Sequence, residues 1–234
     1  MSKIIAEEIK HSWSPATLEV LLSRERMATY FNATSRDGFE AYELYRLNME
    51  MAGQLLMVTG MVEVITRNAI DLAMVNWASR SDKDLDWLDS PVFHGRTAIV
   101  IHEARAHVKD FDFNKRIHSK VIAELPFGFW RQITSRRYLT SLWMPSLHHA
   151  FPYGSPDLRS RQREVSSVLV KMNRLRNRAA HLEPLFNRNY QGEIDSAHDL
   201  LGWVSPEAAA WFLETVERSE LERTVTLIKK LCAN

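Results

Sequence analysis

KMNRLRNRAAHLE, residues Lys171 to Glu183, brings four cations and one histidine onto sequence that favours a helix. Each residue of a straight α-helix advances about 100°, so Arg176 and His181 lie about 140° apart and roughly 7.5 Å along the axis. They do not share a face. Asn173, Asn177 and His181 do, as a polar stripe, and Arg174 with Arg178 forms a basic stripe beside it. Pro184 predicts a helix end close to His181, which gives a helix over about residues 160–182.

Histidine exchanges a proton near neutral pH, and arginine holds a phosphate bidentately with a permanent charge. Together they suit metal-independent RNA cleavage, with the ribose 2′-OH as nucleophile and the developing charge on phosphorus stabilised. One histidine is too few for both acid and base. A symmetric dimer with two such helices in one cleft would supply the second. The plainer alternative is a solvated helix face ending in a histidine that favours the C-terminal dipole. Arg176 and His181, with four residues between and Asn177 after the arginine, resemble the R-x(4–6)-H signature of the HEPN domain; Arg174, with six residues before His181, also satisfies that spacing, and the Asn177 that follows Arg176 favours Arg176.

Working outward, 234 residues with 45% hydrophobic and 25% charged side chains read as an ordinary globular chain. A single domain over 1–234 is the expected organisation. The lone cysteine, Cys232, excludes a disulfide framework and a cysteine-rich zinc site. The start, MSKIIAEEIKHSW, has acidic residues where a signal peptide needs an apolar run. The most apolar stretch, Leu55 to Ile65, is too short for a membrane span and contains Glu63. A cytoplasmic protein without membrane attachment or cofactor is expected. Between Arg131 and His181 stand ten basic residues against two acidic ones, although the whole chain carries only +1. Such a local excess suits a phosphate-backbone partner.

Ser14-Pro15 reads as an N-cap and first helical residue, opening a helix to about Phe31. Asp37-Gly38 breaks the chain, and apolar periodicity from Phe39 to Trp77 predicts one or two long helices with Gly53 and Gly60 as close-packing points. On that stretch Glu63 and Arg67, one turn apart with Asn68 beside them, read equally as a structural tie or as support for the catalytic helix. Ser79 to Pro91 reads as a polar connection. A helix from Thr97 to Lys109 carries His102, Glu103 and His107, whose spacing departs from the H-E-x-x-H zinc pattern, so no metal site is expected there. Lys115 to Leu125 predicts another helix. In the segment 126–152 Phe127, Phe129, Trp130 and Trp143 read as core, with Arg136 and Arg137 as RNA contacts beside Lys171, Arg174 and Arg178. Asp157 or Ser160 is expected to cap the central helix. Ile194 to Trp203 predicts a short helix, and Ser205-Pro206-Glu207 opens a last one to about Leu231. No strand-like alternation appears, so the fold class is all-α.

Three separated blocks, AYELYRLNMEMAGQLLMVTGMVEVITRNAI (41–70), LPFGFWRQITSRRYLTSLWMPSLHHAFP (125–152) and VKMNRLRNRAAHLEP (170–184), resemble the Abi-like (abortive-infection AbiD/AbiF-type) proteins of bacteria, a branch of the HEPN superfamily. The resemblance implies a HEPN-like helical bundle with additional helices, metal-independent endoribonuclease activity of toxin type, a homodimer formed through the catalytic helix, and a role in phage defence by growth arrest. It places Arg176 and His181 in catalytic roles, Asn177 beside them, and Glu63, Arg67 and Asn68 in support. Leu182 stands where many relatives carry a second histidine. A non-catalytic HEPN module binding RNA, a nucleotide or a partner protein is the other expectation, and an antitoxin protein or RNA is a further candidate partner.

Overall fold

The apolar run from Phe39 to Trp77 forms one helix, α3 (Gly38–Ser81), of 44 residues, about 66 Å long at 1.5 Å per residue. Its apolar side chains point in several directions: Leu44, Leu47, Met51, Leu55, Val58, Val62, Ile70 and Met74 are all buried. A helix that is apolar on several sides needs neighbours on several sides. In this computed structural model, which describes residues 12–34, 38–81, 86–108 and 117–232, α3 is the central mast. It packs against α2 (Arg24–Ala33), α7 (Leu158–Ala180), α8 (Gln191–Val204) and α10 (Leu221–Cys232). The chain is all-α, with no strand among the described residues.

Gly53 and Gly60 are not close-packing points. A Cβ built on either would meet no atom within 4 Å. Asp37, Lys109 and Lys115 lie outside the described residues, while Gly38, read as part of a break, is the first residue of α3.

The first helix is two. Ser14 caps α1 (Pro15–Leu22), its Oγ accepting the Thr17 N–H at 3.3 Å. Ser23 then takes φ +68° and ends α1, and its own Oγ caps α2 by accepting the Arg26 N–H at 3.3 Å. A local side-chain cap thus competes with helix continuation and wins. The last helix is also divided, into α9 (Pro206–Glu217), capped by Ser205, and α10, with Arg218 to Glu220 between them.

Between α3 and α4 (Arg96–Val108), a 3-10 turn over Trp87–Asp89 brings Asp86 beside α5 (Ile117–Glu124). There His118 meets Asp71 Oδ1 at 2.8 Å and Asp86 Oδ1 at 3.2 Å, while the Trp87 indole N–H donates to Asp71 at 2.7 Å. Helix α6 (Phe127–Ile133), a 3-10 turn (Arg136–Tyr138) and a π turn (Leu139–Trp143) follow. Phe127, Phe129, Trp130 and Trp143 are buried, as expected of such aromatics. Asp157 caps α7, accepting the Ser160 N–H at 2.6 Å. Helix α8 begins three residues before the expected Ile194. No helix among the described residues is long and apolar enough to cross a membrane.

Candidate nucleic-acid interface

Helix α7 divides its surface by period. Val165, Leu169, Met172, Leu175 and Ala179 form a buried stripe at helical spacing, and α7 has its most extensive helix contact with α3. The far side carries Arg163, Lys171, Arg174 and Arg178. Arg136 from the 3-10 turn and Arg188 from the segment before α8 complete a groove of about 970 Å³, lined by these six cations and one carboxylate, Glu193. Asn177 also lines it.

The six cations are not equivalent. Lys171 Nζ donates to the Gly192 carbonyl at 3.1 Å and to Ser196 Oγ at 2.8 Å, tying α7 to the start of α8. Arg178 pairs with Glu183 at 2.9 Å and donates to the Pro184 carbonyl at 2.8 Å. Arg188 pairs with Glu193 at 2.7 Å. Arg163 makes one exposed bond, to Ser160 Oγ at 2.8 Å. The side chains of Arg136 and Arg174 have no hydrogen bond or ion pair among the described residues, and both residues are exposed. Arg136, Arg163 and Arg174 therefore have no carboxylate in ion-pair contact among the described residues, although the Arg163 charge acts on Asp157 from farther off, and they are open to an anion.

The remaining sequence-predicted residues lie elsewhere. Arg137 is outside the groove, bonded to His94 Nε2 at 2.9 Å with its guanidinium 5.5 Å from the Tyr138 ring centre. Arg161, part of the local basic excess, is buried and donates to the carbonyls of Ser155, His148 and Gly154. It holds the loop before α7 and adds nothing to the surface.

Arg176 is exposed but does not line the groove. Its charge acts on Glu63 of α3. Burial pushes the Glu63 carboxyl up, against the opposing pull of Arg176 and then Arg67. Glu63 and Arg67 act on each other without a hydrogen bond or ion-pair contact, and Arg67 Nε is buried without a partner among the described residues. Asn68 is exposed. Glu63, Arg67 and Arg176 thus share one neighbourhood on the flank of α7. Of the two arginines at permitted spacing, Arg174 faces the groove and Arg176 does not.

His181 is the C-cap of α7, exposed, with its N–H donating to the Asn177 carbonyl at 3.0 Å, so it lies one turn beyond the groove's end. Leu182 follows at φ +51°. Its N–H donates to Ala179 and that of Glu183 to Arg178, both at 3.0 Å, a Schellman closure that ordinarily uses glycine. The strained turn is held from outside: Arg26 donates to the Leu182 carbonyl at 3.3 Å, and Asn48, fully buried, donates to the Glu183 carbonyl at 3.1 Å and accepts the Leu185 N–H at 2.7 Å. Tertiary contacts that over-determine a strained residue fix what lies next to it, here His181.

Sequence reasoning passed over Asn48, Arg163, Arg188 and Glu193. A polar residue inside the apolar run of α3 was the available signal for Asn48. Arg163 continues the Lys171, Arg174 and Arg178 side of the helix two turns earlier. Nothing local marked Arg188 and Glu193, which reach the groove from another element. His102, Glu103 and His107 are all exposed on α4.

No protein-family model, curated protein or solved structure matches this chain.

Proposed function

We propose that this protein is a metal-independent endoribonuclease of HEPN toxin type acting in abortive-infection phage defence, as the Abi-like resemblance implies. The observation that carries the reading is the cationic groove on the outer side of α7, which runs to within one turn of His181. Three of its arginines have no carboxylate in ion-pair contact among the described residues, and single-stranded RNA needs such a track for its phosphates.

In this reading the 2′-oxygen attacks phosphorus and its proton goes to a base, while the 5′-oxygen leaves with a proton from an acid. The products carry 2′,3′-cyclic phosphate and 5′-hydroxyl ends. His181 performs one proton transfer and the His181 of a second copy the other, Arg176 stabilises the phosphorane, and Asn177 holds the geometry. Glu63, Arg67 and Asn68 support α7 from α3. The active unit is a homodimer, and an antitoxin protein or RNA would act by covering the groove.

The test is incubation of wild-type and His181→Ala protein with total cellular RNA in EDTA, followed by end-group analysis. Cleavage by wild type alone, leaving cyclic phosphate ends, is the expected outcome. Equal activity in both proteins overturns the assignment. The separation of Arg176 from the groove favours a second reading, a non-catalytic HEPN module that binds RNA, a nucleotide or a partner protein. Salt-sensitive RNA binding by both proteins with no cleavage would select it.

A further inference from the structure

Arg188 lines two grooves. One is the cationic track along α7; the other, of about 750 Å³, lies between the segment before α8 and helix α10. They meet at this side chain but differ in chemistry. The first holds six cations against one carboxylate. In the second, with Arg188 neutralised by its ion pair to Glu193, there is one cation, Lys229, to one carboxylate, Glu222. The second groove has an apolar floor, in which Met51, Val225 and Ile228 are buried and Phe186 and Tyr190 half-buried. Phe186 is already engaged, its ring centre 5.3 Å from that of Tyr30. Tyr190 stacks on no other aromatic, and its hydroxyl makes no hydrogen bond among the described residues, although the Glu222 charge acts on that hydroxyl from farther off. Its carbonyl accepts the N–H groups of Glu193 and Ile194 at 3.0 and 2.9 Å, which anchors it at the start of α8. Asn187, also in the wall of this groove, is exposed, and its side chain has no hydrogen bond among the described residues.

A charge-balanced hollow with an apolar floor, an unstacked ring and a free amide suits a flat ligand with apolar faces and a polar edge. A nucleobase has that form: the bases of single-stranded RNA are bound by stacking on aromatic side chains and by hydrogen bonds along their edges. An amide both donates and accepts, as a base edge does. Because the hollow adjoins the cationic track at Arg188, one strand can place phosphates in the first groove and a base in the second. We infer that the second groove takes one base of the strand whose phosphates lie along α7, with its face against Tyr190 and its edge on the Asn187 amide. The inference rests on the nucleic-acid reading of the first groove but not on cleavage.

The test is fluorescence anisotropy with a labelled, unstructured 12-mer RNA and with a 12-mer of the same ribose-phosphate backbone that carries no bases. Both arms use a His181→Ala background and EDTA at low salt, so that the strands stay intact. Stacking of a single base predicts that the RNA binds at least about fivefold more tightly than the abasic strand. Tyr190→Ala should bring the two strands to within about twofold of each other, and Tyr190→Phe, which keeps the ring, should keep the preference. Asn187→Ala, which removes an exposed side chain without a hydrogen bond in the protein, should lower the preference by at least about twofold. Equal binding of the two strands by the parent protein overturns the inference while leaving the nucleic-acid reading intact. A preference that survives in Tyr190→Ala also overturns it, as does one unchanged in Asn187→Ala, whether or not Tyr190→Ala folds. Failure to bind either strand at low salt removes the nucleic-acid reading itself.

Discussion

Replacing Arg136, Arg163 and Arg174 together with glutamine tests the groove where it is most open. None of the three has a carboxylate in ion-pair contact among the described residues and all are exposed, so the triple variant leaves no buried charge behind. Arg178 and Arg188 are left in place because they hold Glu183 and Glu193. Binding of a single strand loses affinity with salt at a slope of about −0.7 per neutralised phosphate, so three contacts contribute a slope of about −2.1. Raising salt fourfold, from about 50 to 200 mM, should then cost the wild type roughly 18-fold in affinity through these three contacts alone, a loss the variant does not show. The assay is anisotropy with an unstructured RNA at several salt concentrations, using His181→Ala protein. A variant whose salt slope matches that of its parent would show that phosphates do not lie on this face of α7, and the interface would have to be sought elsewhere.

Arg174→Ala should weaken binding, whereas Arg176→Ala should abolish cleavage and leave binding within about twofold; the reverse pattern in kinetics and anisotropy would exchange their roles. Gly53→Ala and Gly60→Ala, on a helix with open space at both positions, should each stabilise by about 0.5–1 kcal/mol in urea melts, and a loss of stability would refute the open packing. Asn48→Ala leaves the Leu185 N–H and Glu183 carbonyl without their partner and should cost about 2–4 kcal/mol, with faster amide exchange at Leu185. His118, hydrogen-bonded by Asp71 and then Asp86 with Arg105 on the far side of Asp86, titrates at about 9. A raised folded-state value means its stabilisation is whole below about pH 6.5 and is lost as pH rises through about 9. With a third of the side chain exposed the effect is of order 1 kcal/mol, and His118→Gln should remove the difference in urea midpoint between pH 6 and pH 10.

Periodicity and caps alone determined the all-α class, the central helix with its end at His181, and the helix starts at Ser14 and Ser205, while residue type marked the aromatics of 127–143 as core; the choice of Asp157 over Ser160 as the cap of α7 came with the structure. These are local properties: a 3.6-residue repeat and a side-chain oxygen within reach of its own helix start act over neighbouring residues, so they can be read without a fold. The angular separation of Arg176 from His181 was legible for the same reason. The break at Ser23 and the division before α10 were not, because there a short-range cap or turn competes with helix propensity at small energy differences. Only the tertiary structure decided which arginines are open to a ligand. Arg161 and Arg174 look alike in sequence, yet one is buried on three carbonyls and the other faces the groove. Asn48 gains its meaning from the turn after α7, 135 residues away along the chain, and Glu193 from the α7 side chains that share its groove, and such contacts depend on how helices pack, which no local pattern specifies.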